Sequence, residues 1–546
     1  MPATARGMSL REAWPTWREL VDALRPGSGP AVARAFHAAL GVLFCIAFVS
    51  LAVQVEVLIG REGLSPARPL VASVMARDGV SFTQFPTVFS WIPPTDAWLV
   101  GVAWFGAALG LAAALGLWPR ALIAVASLLY LSYVTIAGDF LAFQWDNLLV
   151  ECGVLAVFLP RRAPGRLLHV LCLLLLFKLY FESGLAKWQS HLHDWHDGSA
   201  MTHYYETAPI PAGLAWLSHH LPAAWHHAES RLALELELIV PFFVFGPRVL
   251  RLCALVALTG FQLINIATAN YGFFCYLALA LHLFLLDDRD LERAGAWLRV
   301  RVLRRAPRRP AQVRAEVSTP SVWRQTLAFY AAWAMVAAWV PLSLAKGLRQ
   351  FTRGKPSDPI AYAAWQDAWK TWPRPIGAWL GQPEIDALDA VFGAARVVNN
   401  YHLFGHITRE RPEPEFQVQE DGVPSGGAWR ALHLHYKPGP LDRRPPYVAP
   451  HQPRVDFRLW FYGLGRGGGA PAWIRTLVDR LCYAPHAVAS LFATPLPIAP
   501  RAVRIAFWHY RFTQPDAYAR SGDYWTRTAI GATAPRECSP AGEGPK

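Results

Sequence analysis

Long apolar runs constrain this chain more than any other feature. One of them, "ALGVLFCIAFVSLAV" (39–53), contains no charged residue. A run of about 20 such residues matches the hydrocarbon core of a bilayer, where every backbone amide must find its partner within the segment. The only answer for separate runs is the α-helix. About nine candidates follow along the chain: 35–59, 97–118, 121–137, 146–160, 165–186, 232–247, 249–268, 271–286 and 324–345. The expected fold is therefore an α-helical polytopic membrane bundle of about eight to nine spans. Composition agrees, with 53% hydrophobic and only 17% charged residues and a mean hydropathy of +0.21. An ordinary soluble domain of this size is excluded on those grounds.

The positive charge sets the topology. Net charge is +13, and the Arg residues cluster in five places. These are the N-terminal segment (1–34), "LWPR" (117–120), "PRRAPGR" (160–166), "GPRVLR" (246–251) and the stretch 287–310. With the N-terminus cytoplasmic, simple alternation puts all five on the cytoplasmic side. A basic excess confined beside apolar runs argues against nucleic-acid binding. The polar N-terminal segment makes the first run a signal anchor rather than a cleaved leader. The bundle then covers 35–288, a basic linker 289–323 and the last span 324–345. Segments 60–96, 138–145 and 187–231, and everything after 346, fall outside.

Residues 350–515 are expected to form a β-rich, sandwich-like outer domain, followed by a tail at 516–546. Short alternating runs such as "EFQVQ", "RALHLHY", "VDFRLWFYGL" and "RIAFWHYRF" suggest strands. "EDGVPSGGAW" (420–429) reads as a turn, "GRGGGAP" (465–471) as a loop and 471–493 as a helix. In "PPYVAPHQPRVDFRLWF" (445–461) four prolines fix φ and remove amide donors. That segment reads either as a rigid lead into a strand starting near Val455 or as a preformed recognition edge. Five of the seven cysteines lie in apolar runs as small hydrophobes. Cys482 and Cys538 lie elsewhere, and a bond between them is left open.

Ionisable residues inside spans mark functional candidates. Glu56, Glu151, Lys178, Glu182, Glu235 and Glu237, with Gln54, Gln262 and Asn265, fall at roughly 6–14 Å below the outer boundary at 1.5 Å per residue. They are expected to form one outward-open polar layer. It serves either as a structural network or as a site for a polar substrate or client. Lys178 and Glu182, four apart, share a helix face. The His-rich loop 187–231 lacks a catalytic metal spacing, and an aromatic interfacial loop is the simpler reading. No metal and no cofactor is expected. Hydrolase and nucleotide-binding signatures are not found.

Several stretches then carry a resemblance. "FLAFQWDNLLVECGVLAVFLP" (140–160), "LYFESGLAKW" (179–188), "THYYETAPIPAGLAWLSHHLP" (202–222) and "ELELIVPFFVFGPRVLR" (235–251) resemble lipase maturation factors. So do "NYGFFCYLALALHLFLLDD" (270–288), "NNYHLFGHITRERPE" (399–413) and "YKPGPLDRRPPYVAPHQPRVDFRLWF" (436–461). The resemblance implies a membrane-bound factor that assists folding or dimer assembly of secreted lipases. Its partners would be membrane lipids and a secreted client, a lipase, met by the outer C-terminal domain. In animals that family sits in the endoplasmic reticulum membrane. This Arg/Ala-rich, Lys-poor chain is expected to be bacterial, in the inner membrane with its C-terminal domain in the periplasm. Client-facing candidates are Arg443, Arg444, His451, Arg454, Asp456 and Trp460. A weaker similarity of "FESGLAKWQSHLHDWHDGSAM" (181–201) to vitamin K-dependent γ-carboxylase transmembrane domains implies an alternative. In it the chain is a membrane enzyme whose base is Lys187, with Lys178 and Glu182 in support. The folding-factor reading, without catalysis, leads.

Overall fold

A computed structural model describes residues 29–160, 166–190, 192–301, 322–353, 383–420, 428–465 and 469–538. Most of the expected N-terminal segment, linker residues 302–321, the turn at 421–427, residues 466–468 of the glycine-rich loop and the last eight residues lie outside them.

Among the described residues nine helices make up the bundle. They are α1 (Pro30–Ala52), α2 (Asp96–Ala114), α3 (Pro119–Ile136), α4 (Gln144–Phe158), α5 (Arg166–Trp188), α6 (Ala223–Phe243), α7 (Arg248–Thr268), α8 (Phe274–His282) and α9 (Val322–Arg353). Among the described residues five are long and apolar enough to cross a membrane, namely α1, α2, α3, α5 and α7. The count of eight to nine is thus not reached by length and composition alone. The fourth expected span is a 15-residue helix, and the eighth is a short helix with its 3-10 extension, Phe274–Leu285. The sixth lies on α6, which also carries Glu229, Arg231, Glu235 and Glu237.

Small residues let the helices approach. An added Cβ on Gly41 of α1 would lie 2.7 Å from the Gly110 carbonyl of α2, so the two backbones meet directly there. Such contacts stand in for hydrophobic collapse, which lipid does not supply. At the basic end Asp288 caps α1, accepting from the amides of Ala31 and Val32 at 3.0 Å each. These amides have no partner within their own helix. Arg248 pairs there with Asp287 and Asp290.

The outer domain contains one sheet among the described residues, not a sandwich. Its strands are β1 (Arg411–Glu420), β2 (Arg430–Leu432), β3 (Pro500–Phe512), β4 (Trp525–Ala532) and β5 (Arg536–Glu537). The order is β2-β1-β3-β4, with β5 also on β3. Phe416 faces Ile505 on one side and Leu432 on the other. Two expected strands shrink or vanish. "RALHLHY" supplies only β2 and a single bridge from Leu434 to Phe492. "VDFRLWFYGL" is a helix, α11 (Arg454–Leu464), preceded by α10 (Pro383–Ala394) and followed by α12 (Ala472–Tyr483). Alternation over seven residues did not decide between periods. The 3–4 spacing of Val455, Leu459 and Tyr462 buries one helix face, while Phe461, assigned with Val455 as a strand face, is exposed. The supposed tail at 516–546 instead contributes β4 and β5.

Cys482 of α12 and Cys538 form a disulfide across 56 residues of chain. Closing a loop of that length stabilises by roughly 4 kcal/mol on the chain-entropy account, often less in practice. Disulfides persist in oxidising compartments. We therefore expect the pair to resist alkylation in intact cells until a reductant is added. The Cys482→Ser variant is expected to lower outer-domain stability by about 2–4 kcal/mol, read as an earlier thermal midpoint of the purified chain.

Candidate functional site

The residues predicted as functional lie where the outer domain meets the bundle, and they divide into three groups. The first is built by the proline-rich segment. It lies across the outward ends of α1 and α4 and the α7–α8 turn. Asn270 accepts from the amides of Val448 and Ala449 at 2.8 and 3.0 Å and donates to the Pro446 carbonyl at 2.8 Å. Ser50 of α1 accepts from the Gln452 amide at 2.9 Å and contacts His451 Nδ1 at 3.0 Å. Gln54 grips the backbone on both sides of Pro453. Its amide donates to the Gln452 carbonyl, and its oxygen accepts from the Arg454 amide. Prolines suit this strap, because their missing amides need no partner there.

Arg454, the first residue of α11, then enters the bundle. Its guanidinium holds both oxygens of Asp146 on α4, at 2.6 and 2.8 Å. Tyr130 of α3 donates to Asp146 at 2.6 Å, and Arg454 also donates to Tyr130 and to the Phe140 carbonyl. Arg454 is 1% exposed and Asp146 0%. A paired, fully hydrogen-bonded charge is tolerated in such a place; a lone one is not. Arg458, one turn later, reaches Asp139 at 2.8 Å.

The second group holds Glu151 and Glu182. The segment 399–407, "NNYHLFGHI", runs over these two carboxylates and supplies donors to both. Glu151 accepts from Trp339 at 3.0 Å, Asn399 at 2.8 Å and the Tyr401 hydroxyl at 2.6 Å. Glu182 accepts from the Tyr401 amide at 2.8 Å. Lys178, also buried, sits 5.8 Å from the rings of Trp339 and Tyr401.

The third group is Lys187. It donates to Glu237 at 2.6 Å and to the Leu403 carbonyl at 2.9 Å. Gly184 makes this possible, since any Cβ there would lie 2.9 Å from Glu237 atoms of α6. The polar layer is thus neither single nor open. Two of its predicted members leave it altogether. Glu56 is exposed on the short helix Val55–Ile59, after α1 has ended at Ala52. Glu235 is exposed because residues two apart point to opposite sides of a helix, and Glu237 takes the inner side.

Of the six client-facing candidates, Arg454 and Asp456 are buried and point inward. Arg443 donates to the Leu434 and Lys437 carbonyls, and Trp460 donates to the Thr207 carbonyl. His451 is half-buried on Ser50; Arg444 alone of the six is exposed. Among the described residues no group of His, Cys, Asp or Glu is arranged to hold a metal; His191 lies outside them. Asp146, Tyr130, Asn270 and Tyr401 were not singled out from the sequence. Asp146 sits at the first position of a predicted span, where an acid reads as a boundary.

A further pair links the outer sheet to the loop after α5. Arg411 and Lys437 both meet Glu413, at 2.7 and 2.9 Å, and Arg411 donates to the Glu206, Ala208 and Pro209 carbonyls. Asp456 accepts from the Tyr436 amide nearby. Burial pushes the Asp456 carboxyl up to about 6, against the opposing effects of that amide and Lys437.

The chain matches two family models, "Lipase maturation factor transmembrane domain" over residues 31–293 and "Lipase maturation factor C-terminal domain" over 397–535. It is similar to lipase maturation factor 2 of Gallus gallus, at 29% identity over 586 residues, covering 91% of this chain and 80% of that protein. Lipase maturation factor 2 of Homo sapiens matches at 29%, covering 90% and 80%. Lipase maturation factor 1 of Homo sapiens matches at 27%, covering 98% of this chain and 95% of that protein. No solved structure matches.

Two outcomes follow from the buried pairs. Arg454→Ala leaves Asp146 buried and unpaired, at a cost of about 3–5 kcal/mol. The double variant Asp146→Leu/Arg454→Met removes both charges and is expected to recover much of the lost thermal midpoint. For Asp456 the folded carboxyl binds its proton more tightly than the unfolded one. Its contribution is therefore full below about pH 4 and declines as pH rises toward about 6. The wild type is expected to lose stability relative to Asp456→Asn across that window, at about 1.4 kcal/mol per pKa unit. Parallel melting curves between pH 4 and 7 check it.

Proposed function

The chain belongs to the lipase maturation factor family, and on that premise we propose that it is a membrane-anchored maturation factor that assists secreted lipases to fold or assemble. The observation that carries the reading is the use made of the polar layer. Glu151, Glu182 and Lys187 spend their hydrogen bonds on residues 399–403. The bundle's buried charges therefore hold an outer domain rigidly at the membrane surface, as a platform needs.

In this reading nine passes alternate, the shorter and more polar helices completing the five long ones. The sheet lies on the extracytoplasmic side, in the periplasm of a bacterium. The contacts of Ser50, Asp146, Lys187 and Asn270 with the outer domain all fall at the end of the bundle opposite the Arg-rich loops, which supports that sidedness. The client meets the surface turned away from the seam. That surface includes Arg444 and the outer edge of β4, which pairs only with β3 among the described residues and exposes Ile530. An unpaired edge is a natural place for an extended client segment to add on.

The test is secreted lipase activity per unit of lipase protein in the native host. Deleting the gene is expected to lower it several-fold, with rescue by the intact chain and not by Arg454→Ala. The pair variant Lys187→Met/Glu237→Leu distinguishes the carboxylase-like alternative. A platform keeps its rescue at normal protein level, whereas an enzyme that depends on Lys187 loses it. Unchanged lipase specific activity in the deletion strain would overturn the proposal.

A further inference from the structure

Between α5, α6 and α7 lies a cavity of about 350 Å³. Its walls are apolar over most of their area, from Leu179, Leu236, Val256 and Phe261. It extends along α5 from Leu179 to Lys187, eight residues or about 12 Å at 1.5 Å per residue. The mouth faces sideways. Leu232 of α6 and Val256 and Ile264 of α7 line the cavity and are also 62%, 73% and 50% exposed. α7 is long and apolar enough to span a membrane and is mostly unburied within the protein, so Val256 and Ile264 stand toward hydrocarbon, not water.

Polar groups line the cavity at its outward end, where Lys187 and Glu237 pair, and about 10 Å deeper along α5, where Gln262 meets Tyr180. Gln262 is 1% exposed and donates through Nε2 to the Tyr180 hydroxyl at 2.8 Å, but its Oε1 has no donor among the described residues. A buried acceptor without a donor costs free energy that a ligand hydroxyl restores. Tyr204 and Tyr271 share a hydrogen bond at 2.7 Å beside it, and Tyr204 donates to Asn265. The charges on the lining are Lys187, Glu229 and Glu237. Lys187 is already paired with Glu237, so the remaining carboxylate makes the end unfavourable for an anionic headgroup.

We propose that this cavity binds one acyl chain of an uncharged, hydroxyl-headed glyceride, entering from the outer leaflet between α6 and α7. The chain occupies the apolar trough. The glycerol hydroxyl donates to Gln262 Oε1, at the level of Tyr180. Closeness to Lys187 is incidental to binding, since that side chain is committed to Glu237 and Leu403.

The test uses the full chain in nanodiscs carrying a small fraction of diacylglycerol with a diazirine on one acyl chain. A parallel arm carries the same diazirine chain on phosphatidylglycerol. After illumination, adducts are mapped by mass spectrometry. Diacylglycerol is expected to label the cavity-lining parts of α5, α6 and α7. Gly260→Leu is the blocking variant, because a Cβ there meets no atom within 4 Å and the side chain fills open space. It is expected to reduce those adducts at least ~5-fold at an unchanged thermal midpoint. Gln262→Leu is expected to reduce diacylglycerol labelling several-fold and leave the phosphatidylglycerol signal at background. Equal labelling of wild type and Gly260→Leu would overturn the proposal. So would phosphatidylglycerol labelling the cavity as strongly as diacylglycerol, which would assign the site to phospholipid.

Discussion

Arg454 and Asp146 lie on different domains, and neither touches water. Bringing a guanidinium and a carboxylate into such a place costs several kcal/mol for each ion unless their geometry and hydrogen bonds offset it. Here the pair is bidentate, Tyr130 and the Phe140 carbonyl take up further hydrogen bonds, and the ring of Phe143 lies 5.9 Å from the guanidinium. Removing either partner strands the other. That asymmetry makes the two domains one cooperative object. The strap from Pro446 to Gln452 leads to it, and the start of α11 depends on it.

The same logic runs through the rest of the seam. Three buried carboxylates of the bundle, Asp146, Glu151 and Glu182, each take a partner from the sequence after residue 397. Lys187 takes a carbonyl from it as well. Most of these buried carboxylate oxygens find protein donors, whereas Lys178 Nζ and Gln262 Oε1 have no hydrogen-bond partner among the described residues. What looks in a helix-by-helix reading like chemistry awaiting a substrate is a receptor for the chain's own outer domain. The sheet joins the seam through Arg411 and through the Phe512 amide, which donates to Glu206, and the β4 edge and Arg444 face the extracytoplasmic space in the proposed topology. The sideways cavity beside Lys187 is the part of the bundle that this docking leaves open.

Some of this was legible from particular residues. The apolar runs placed α1, α2, α3, α5 and α7, and "EFQVQ" and "RIAFWHYRF" gave the two central strands, paired through Phe416 and Ile505. Glu151, Lys178, Glu182 and Glu237, expected in one outward-open polar layer, are buried instead. Other features were not legible. "VDFRLWFYGL" alternates well enough for a strand, and only its docking onto Asp146 and Asp139 favours the helix that brings Arg454 and Arg458 to one side. Depth says nothing about rotation around a helix axis, which separates Glu235 from Glu237, or about where a helix stops, and α1 ends before Glu56. Asp146 looked like a boundary because its partner lies 308 residues away.

The sequence by itself determined that the chain carries a helical, membrane-like region followed by a strand-containing C-terminal domain. Hydrocarbon imposes that outcome locally, because each run must satisfy its own backbone and each Arg cluster must stay in water. Only the tertiary structure decided what the buried charges are for. Their partners come from the far end of the chain, and a pairing between residues hundreds of positions apart leaves no local pattern to read.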